Sequence, residues 1–196
     1  MATDPAASTQ SRPMRADARR NRDKLLEAAR EAFATEGLSV PVDEIARRAG
    51  LGAGTMHRHF PTKESLLEAI VISHVESLVE EARALDHADD AGAAFFGFCF
   101  GMVERGMANR ALAEVLAGVG FDAKARVAAI AEELERALAR LVERAQAAGA
   151  VRSDVGMAEI HVLLNSVHLA TERTNGDRET ALRVLTVVCD GLRHTG

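Results

Sequence analysis

The stretch Ile45–Lys63, IARRAGLGAGTMHRHFPTK, decides the fold of this chain. Ile45, Ala46 and Ala49 recur at helical spacing and form the inward face of a short helix. Ala46 is small, as a close helix crossing requires, and Gly50 begins a turn. Gly52 and Gly54 free the backbone ahead of a further helix from Ala53 to Phe60. Met56 and Phe60, four apart, point into a small core, so Ala53, Thr55, His57, Arg58 and His59 face outward. Pro61 breaks the pattern, and Thr62 is a good N-cap for a longer helix that starts at Lys63. The order is that of a helix-turn-helix, which implies a short helix held out to enter the major groove of duplex DNA.

Upstream, Leu25, Leu26, Ala29 and Phe33 give a brace helix from near Asp17 to Glu36, stopped at Gly37. A helix of two turns is not stable alone and needs such support. Pro41 suits the first turn of the next helix, with Asp43 and Glu44 near its positive end. Residues 1–16 are rich in Ala, Ser, Thr and Pro with Arg12 and Arg15, and read as a disordered basic arm.

The outward residues have the chemistry of a DNA reader. Thr55 offers a hydroxyl to phosphate or a methyl to thymine, and Arg58 suits guanine or phosphate. His57 and His59 donate to phosphate oxygens, more strongly when protonated. Gly52, Ala53 and Gly54 let the backbone come close. Lys63 adds charge where helix amides already face an anion, and Arg47 and Arg48 can grip flanking phosphates. Each Arg or Lys also reads simply as a solvated surface charge.

Charge distribution agrees. The chain of 196 residues carries −5 overall, but residues 12–63 carry +4 and residues 64–196 carry −8. A basic head joined to an acidic remainder suits a nucleic-acid reader attached to something that avoids phosphate. The composition, poor in Pro and aromatics and rich in Ala, Leu, Glu and Arg, favours helices throughout. The domain reading is therefore an arm at 1–16, a helix-turn-helix domain at 17–62 and a helical domain at 63–196, with about nine helices in all. The later helices are expected at 63–85, 91–107, 109–118, 122–148, 154–173 and 178–193.

Other classes lack their signals. There is no Gly-rich phosphate loop, H-E-x-x-H, C-x-x-C or G-x-S-x-G, so an enzyme is not expected, nor a metal or cofactor. Cys99 and Cys189 sit in apolar stretches and read as buried hydrophobes. No signal peptide opens the chain, and the longest apolar run, Ala91–Val103, is too short for a bilayer. A cytoplasmic protein without membrane contact is expected.

From about Arg20 to Ile70 the chain resembles the DNA-binding domain of the tetracycline-repressor (TetR) family. The resemblance rests on Leu26, Ala29, Phe33, Gly37, Ile45, Ala46, Ala49, Gly50, Gly54, Thr55, Phe60, Lys63, Glu64 and Leu67. It implies that Thr55, His57, His59 and Lys63 contact DNA. Three departures stand out: Gly52-Ala53 for a more usual Ser-Lys type of pair, His57 where Tyr is common, and Val40-Pro41 for Thr-Thr.

The resemblance also implies a helical C-terminal domain that binds a small effector and forms a homodimer on a palindromic operator. Repression relieved by the effector is the expected mode, with activation by the same fold the alternative. Two late apolar helices suit an isologous interface, and Ile160, Leu164, His168, Leu185, Val188 and Leu192 are its candidates. The alternative reading is ordinary intrachain core. The soft, bulky cluster of Phe95, Phe96, Cys99, Met102 and Met107, with His74 nearby, reads as core or as the wall of a pocket for a lipophilic or aromatic effector.

Overall fold

The computed structural model describes residues 11–108, 121–173 and 177–194. Among them the chain is all helical, with eight helices and, in place of strands, one isolated antiparallel bridge between Val151 and Arg193. The helix expected at 109–118 and the arm at 1–10 lie outside the described residues. Packing divides the chain into two units, Met1–Ile70 and Val71–Gly196.

The first unit holds α1 (Ser11–Glu36), α2 (Val42–Arg48), α3 (Ala53–His59) and the start of α4 (Lys63–Leu85). Helix α1 begins at Ser11, so residues 11–16, expected as an irregular arm, are helical. Gly37 ends α1 with a φ of 76°, its amide donating to the Phe33 carbonyl at 3.1 Å. That left-handed stop favours glycine because a Cβ would strain it. Gly50, at φ 68°, closes α2 likewise, and the Leu51 amide reaches back to the Ala46 carbonyl at 2.9 Å. Thr62 caps α4 as expected: the Ser65 amide donates to its Oγ1 at 3.1 Å, and the Thr62 amide donates to Ser65 Oγ at 3.2 Å. This reciprocal pair satisfies two amides left without partners by the helix start. The core of the unit is Leu25, Leu26, Ala29, Phe33, Ile45, Ala46, Met56, Phe60, Leu66 and Ile70, all buried. Helix α3 therefore stays helical by anchoring Met56 and Phe60, since seven residues would not hold alone.

The second unit contains the rest of α4, then α5 (Ala91–Ala108), α6 (Phe121–Ala147), α7 (Met157–Arg173) and α8 (Arg178–Leu192). Phe95, Phe98, Cys99, Leu141, Ile160, Val167, Leu185 and Leu192 fill its core. The end of α4 is fastened to α6 by Arg144, which donates to the Leu85 carbonyl at 3.0 Å and the Ala88 carbonyl at 2.7 Å. Such bonds satisfy the carbonyls a helix leaves open at its C-terminus. Gly92 lets α5 pass the α6–α7 turn: a Cβ there would stand 2.6 Å from the Ala150 Cβ.

Candidate nucleic-acid interface and effector cavity

Helix α3 presents its outer face as the sequence implies. Gly52, Ala53, Gly54, His57 and Arg58 are exposed, and Thr55 and His59 are half-buried. Gly52 has a φ of −78°, and a Cβ added to Gly52 or Gly54 would enter open space. The fold therefore imposes no need for glycine at either position.

The cations differ in what holds them. Arg58 makes no hydrogen bond or ion pair among the described residues and projects from the last turn of α3. Arg47 and Arg48 are engaged. Arg47 grips Glu44 at 2.6 and 2.8 Å, while Arg48 reaches Glu44 at 2.9 Å and Glu36 at 2.5 Å. These bonds, the one from Arg47 largest, hold the Glu44 carboxyl at about 2 against an ordinary 4.5. Phosphate contact by either arginine thus competes with a carboxylate already in place. His57 Nε2 lies 3.5 Å from Asp43 Oδ1. Arg22 of α1 lies 5.7 Å from the Phe60 ring centroid, bracing the end of α3 from behind.

Lys63, expected at DNA, is half-buried and turned toward its own protein. Its Nζ donates to the Leu38 carbonyl and to the Val40 carbonyl at 3.0 Å, and lies 5.5 Å from the Phe33 ring centroid. Sequence reading did not single out Glu36, Asp43 or Glu44 as partners. Glu44 at three and four residues before Arg47 and Arg48 was the available signal.

In the second unit an open cavity of about 350 Å³ lies among α5, α6 and α7. Met102, Leu134, Leu138 and Leu164 form its apolar wall, with Glu132, Glu135, His161 and Asn165 among the polar lining. Of the expected pocket residues whose side chains are described, only Met102 lines it. Phe95, Phe96 and Cys99 are buried as packing, Phe95 and Phe96 edge to face at 5.1 Å, with the Arg193 guanidinium 4.3 Å from the Phe96 ring centroid. None of the three lines the cavity, which corrects their assignment to its wall: they join the core instead. His74 is half-buried on α4 and does not line the cavity. The side chain of Met107 is outside the described residues. Burial raises both thiols, Cys189 to about 11, so neither is a ready nucleophile.

The candidate interface residues divide by face. Ile160, Leu164, Leu185 and Leu192 are buried within their own chain, and Val188 is half-buried. The first four are thereby corrected from subunit contacts to core, because the α7 and α8 stripes at 160/164/167 and 181/185/189/192 pack inward. The side chain of His168 is outside the described residues. The outer face of the same two helices bears Val162 and Val187, 63% and 72% exposed. A groove of about 280 Å³ on α8 runs along Thr180, Arg183, Val184, Val187 and Val188.

An exposed helix-turn-helix head on a small core, joined to a larger helical unit, defines a class of DNA-binding protein. Residues 25–70 match the family described as bacterial regulatory proteins, tetR family. Residues 90–194 match the domain described as transcriptional regulator SbtR-like, C-terminal. The crystal structure of a TetR transcription regulatory protein from Mycobacterium vanbaalenii is 43% identical, covering 92% of this chain and 99% of that one at a TM-score of 0.76. A TetR transcriptional regulator of Streptomyces coelicolor is 32% identical over 89% of this chain and 99% of its own, at a TM-score of 0.72. An HTH-type transcriptional regulator of Staphylococcus aureus is 37% identical over 59 residues, and the match spans about a third of that relative, 32% of its length. The chain belongs to the TetR family of DNA-binding transcriptional regulators. Members are transcription factors rather than enzymes. No helix among the described residues is long and apolar enough to cross a membrane.

Proposed function

We propose that this protein is a homodimeric repressor that binds a palindromic operator and releases it when a small, largely apolar molecule enters the second unit. The observation that carries the DNA half is the α3 surface. Gly52 and Gly54 answer no demand of the fold, and Arg58 is the outward cation without a carboxylate partner among the described residues of that helix. Gly52, Ala53, Gly54, Thr55, His57, Arg58 and His59 supply the contact surface, with base edges read by Arg58 and Thr55. Arg47 and Arg48 serve as flanking phosphate contacts that exchange Glu44 and Glu36 for DNA.

The exposed Val162 and Val187 support dimerisation through the outer face of α7 and α8. Both would gain by burial in an isologous contact, at about 1.5–3 kcal/mol for each fully buried side chain. Two α3 helices about 34–36 Å apart across a twofold axis would read a palindrome on one face of B-DNA.

The effector half rests on the cavity bounded by Met102, Leu134, Leu138 and Leu164. Its apolar wall suits a lipophilic or aromatic body of modest size. The effector acts by binding the non-operator conformation more tightly, which shifts the population of the reading heads. Selection of duplexes from a random pool by the purified protein tests this reading. Recovery of an inverted repeat with half-sites one helical turn apart is the expected result. Enrichment of no sequence over the starting pool would sink it.

A further inference from the structure

We infer that the first turns of α1 form a phosphate rail: an arginine stripe that continues the buried face of the helix past the core and lies along the DNA backbone beside α3. The inference rests on the DNA-reading role of α3 and adds to it a contact that reads no bases. Helical register sets the stripe. Leu26, Ala29 and Phe33 recur at steps of three and four on the inward face of α1. Continued toward the N-terminus, the same steps reach positions 22, 19, 15 and 12, all within the helix and all arginine. One face of one helix is thus apolar where the head covers it and cationic where it runs beyond.

Nothing in the head accounts for that run of charge. Residues 16–20 are exposed, and the first buried residues of α1 among those described are Leu25 and Leu26. Like charges three and four apart on a helix repel and weaken it. The segment from Ser11 to Lys24 holds six cations and two carboxylates. Of the carboxylates, Asp17 is paired with Arg20, off the stripe. Neither Arg19 nor Asp23, one turn on, makes a hydrogen bond or ion pair among the described residues. Arg22 shows where the stripe runs. Its guanidinium is 5.7 Å from the ring centroid of Phe60, the residue that ends α3, and both lie in the first unit. From position 12 to position 22 the rail is about 15 Å long, which matches about four base-pair steps along one strand. A row of phosphates there would turn the repulsion between the arginines into attraction, and the guanidinium fork suits phosphate oxygens.

The test uses the full-length protein with two duplexes, the highest-affinity one recovered from a random pool and one of random sequence. Affinity is measured across a salt series for the wild type, for Arg15→Gln combined with Arg19→Gln, and for Arg20→Gln combined with Lys24→Gln. The second pair removes the same charge from positions off the stripe, and Gln keeps the helix propensity in both. Each phosphate contact contributes about 0.9 to the slope of log affinity against log salt, so the stripe variant is expected to be shallower by about 1.8 per protomer on both duplexes. The control variant is expected to change by less than half of that. In parallel, the wild-type protein is treated with phenylglyoxal with and without the random-sequence duplex, and the modified arginines are mapped by mass spectrometry. Arg15 and Arg19 are expected to be shielded by DNA, and Arg20 is not. An unchanged slope in the stripe variant, equal losses in the two variants, or modification of Arg19 undiminished by duplex would each overturn the inference. The shielding decides the matter should the stripe variant fail to fold. If no duplex is enriched, the operator reading falls, while the random-sequence duplex still decides whether the rail binds phosphate.

Discussion

Gly54→Ala should make this protein more stable and a worse DNA binder at once. Gly54 is the second residue of α3, its φ is not in the left-handed region, and an added Cβ meets nothing within 4 Å. Replacing a helical glycine by alanine in open space is worth up to about 1 kcal/mol. For a chain of this size that raises the thermal midpoint by roughly 2–4 °C at most. With α3 on DNA as proposed, the same methyl group would stand between the leading end of the helix and the duplex. Forcing one methyl into a packed contact costs about 1–3 kcal/mol, or roughly 5- to 150-fold in affinity. Thermal unfolding followed by circular dichroism gives the first quantity, and fluorescence anisotropy with the selected duplex gives the second. Unchanged affinity in a variant of equal or greater stability would refute the reasoning. It would mean that the glycines do not lie at the DNA surface.

Three further outcomes follow from single contacts. Arg58→Ala should weaken binding without moving the thermal midpoint, since Arg58 has no partner among the described residues to lose; a drop of about 0.9 per protomer in the salt slope, read by anisotropy, would mark a phosphate contact. Val162→Asp combined with Val187→Asp should yield folded monomers by sedimentation velocity, because both positions are exposed in the single chain; an intact dimer would move the interface elsewhere. Gly92→Ala should destabilise the second unit by about 1–3 kcal/mol, measured by urea unfolding, because its Cβ would stand 2.6 Å from that of Ala150.

The carboxylates around α2 give the head a chemical reserve. The hydrogen bonds from Arg47 and Arg48 hold the Glu44 carboxyl at about 2, so it is ionised at any pH at which DNA binding is of interest. The phosphate contacts proposed for those arginines would therefore be an exchange of partners and not a recruitment of idle charge. Exchange of this kind favours a dense phosphate array over isolated anions, because several carboxylate contacts must be replaced together. Arg58, by contrast, has no partner among the described residues to give up.

The helical pattern, the turn glycines and the order of elements in Ile45–Lys63 could be read directly from the chain, because they depend on neighbours within a few residues. Gly37 and Gly50 stand where helices must stop, Met56 and Phe60 where α3 must anchor, and Thr62 where α4 must be capped. All are local rules, and they were enough to specify the DNA-reading head. Which of two apolar stripes on α7 and α8 turns inward was not local. Ile160, Leu164, Leu185 and Leu192 are as apolar as a subunit interface requires, yet they join the core that α7 and α8 share with α5 and α6. Likewise the phenylalanines of α5 became packing, while the cavity formed beside them against α6, from alanines and leucines with no distinguishing pattern. The fate of Lys63 was also settled in three dimensions. Its charge is visible in the sequence, but the two carbonyls that bind it come from residues 23 and 25 positions away. Periodicity fixes which residues share a face; only the assembled packing fixes what that face meets.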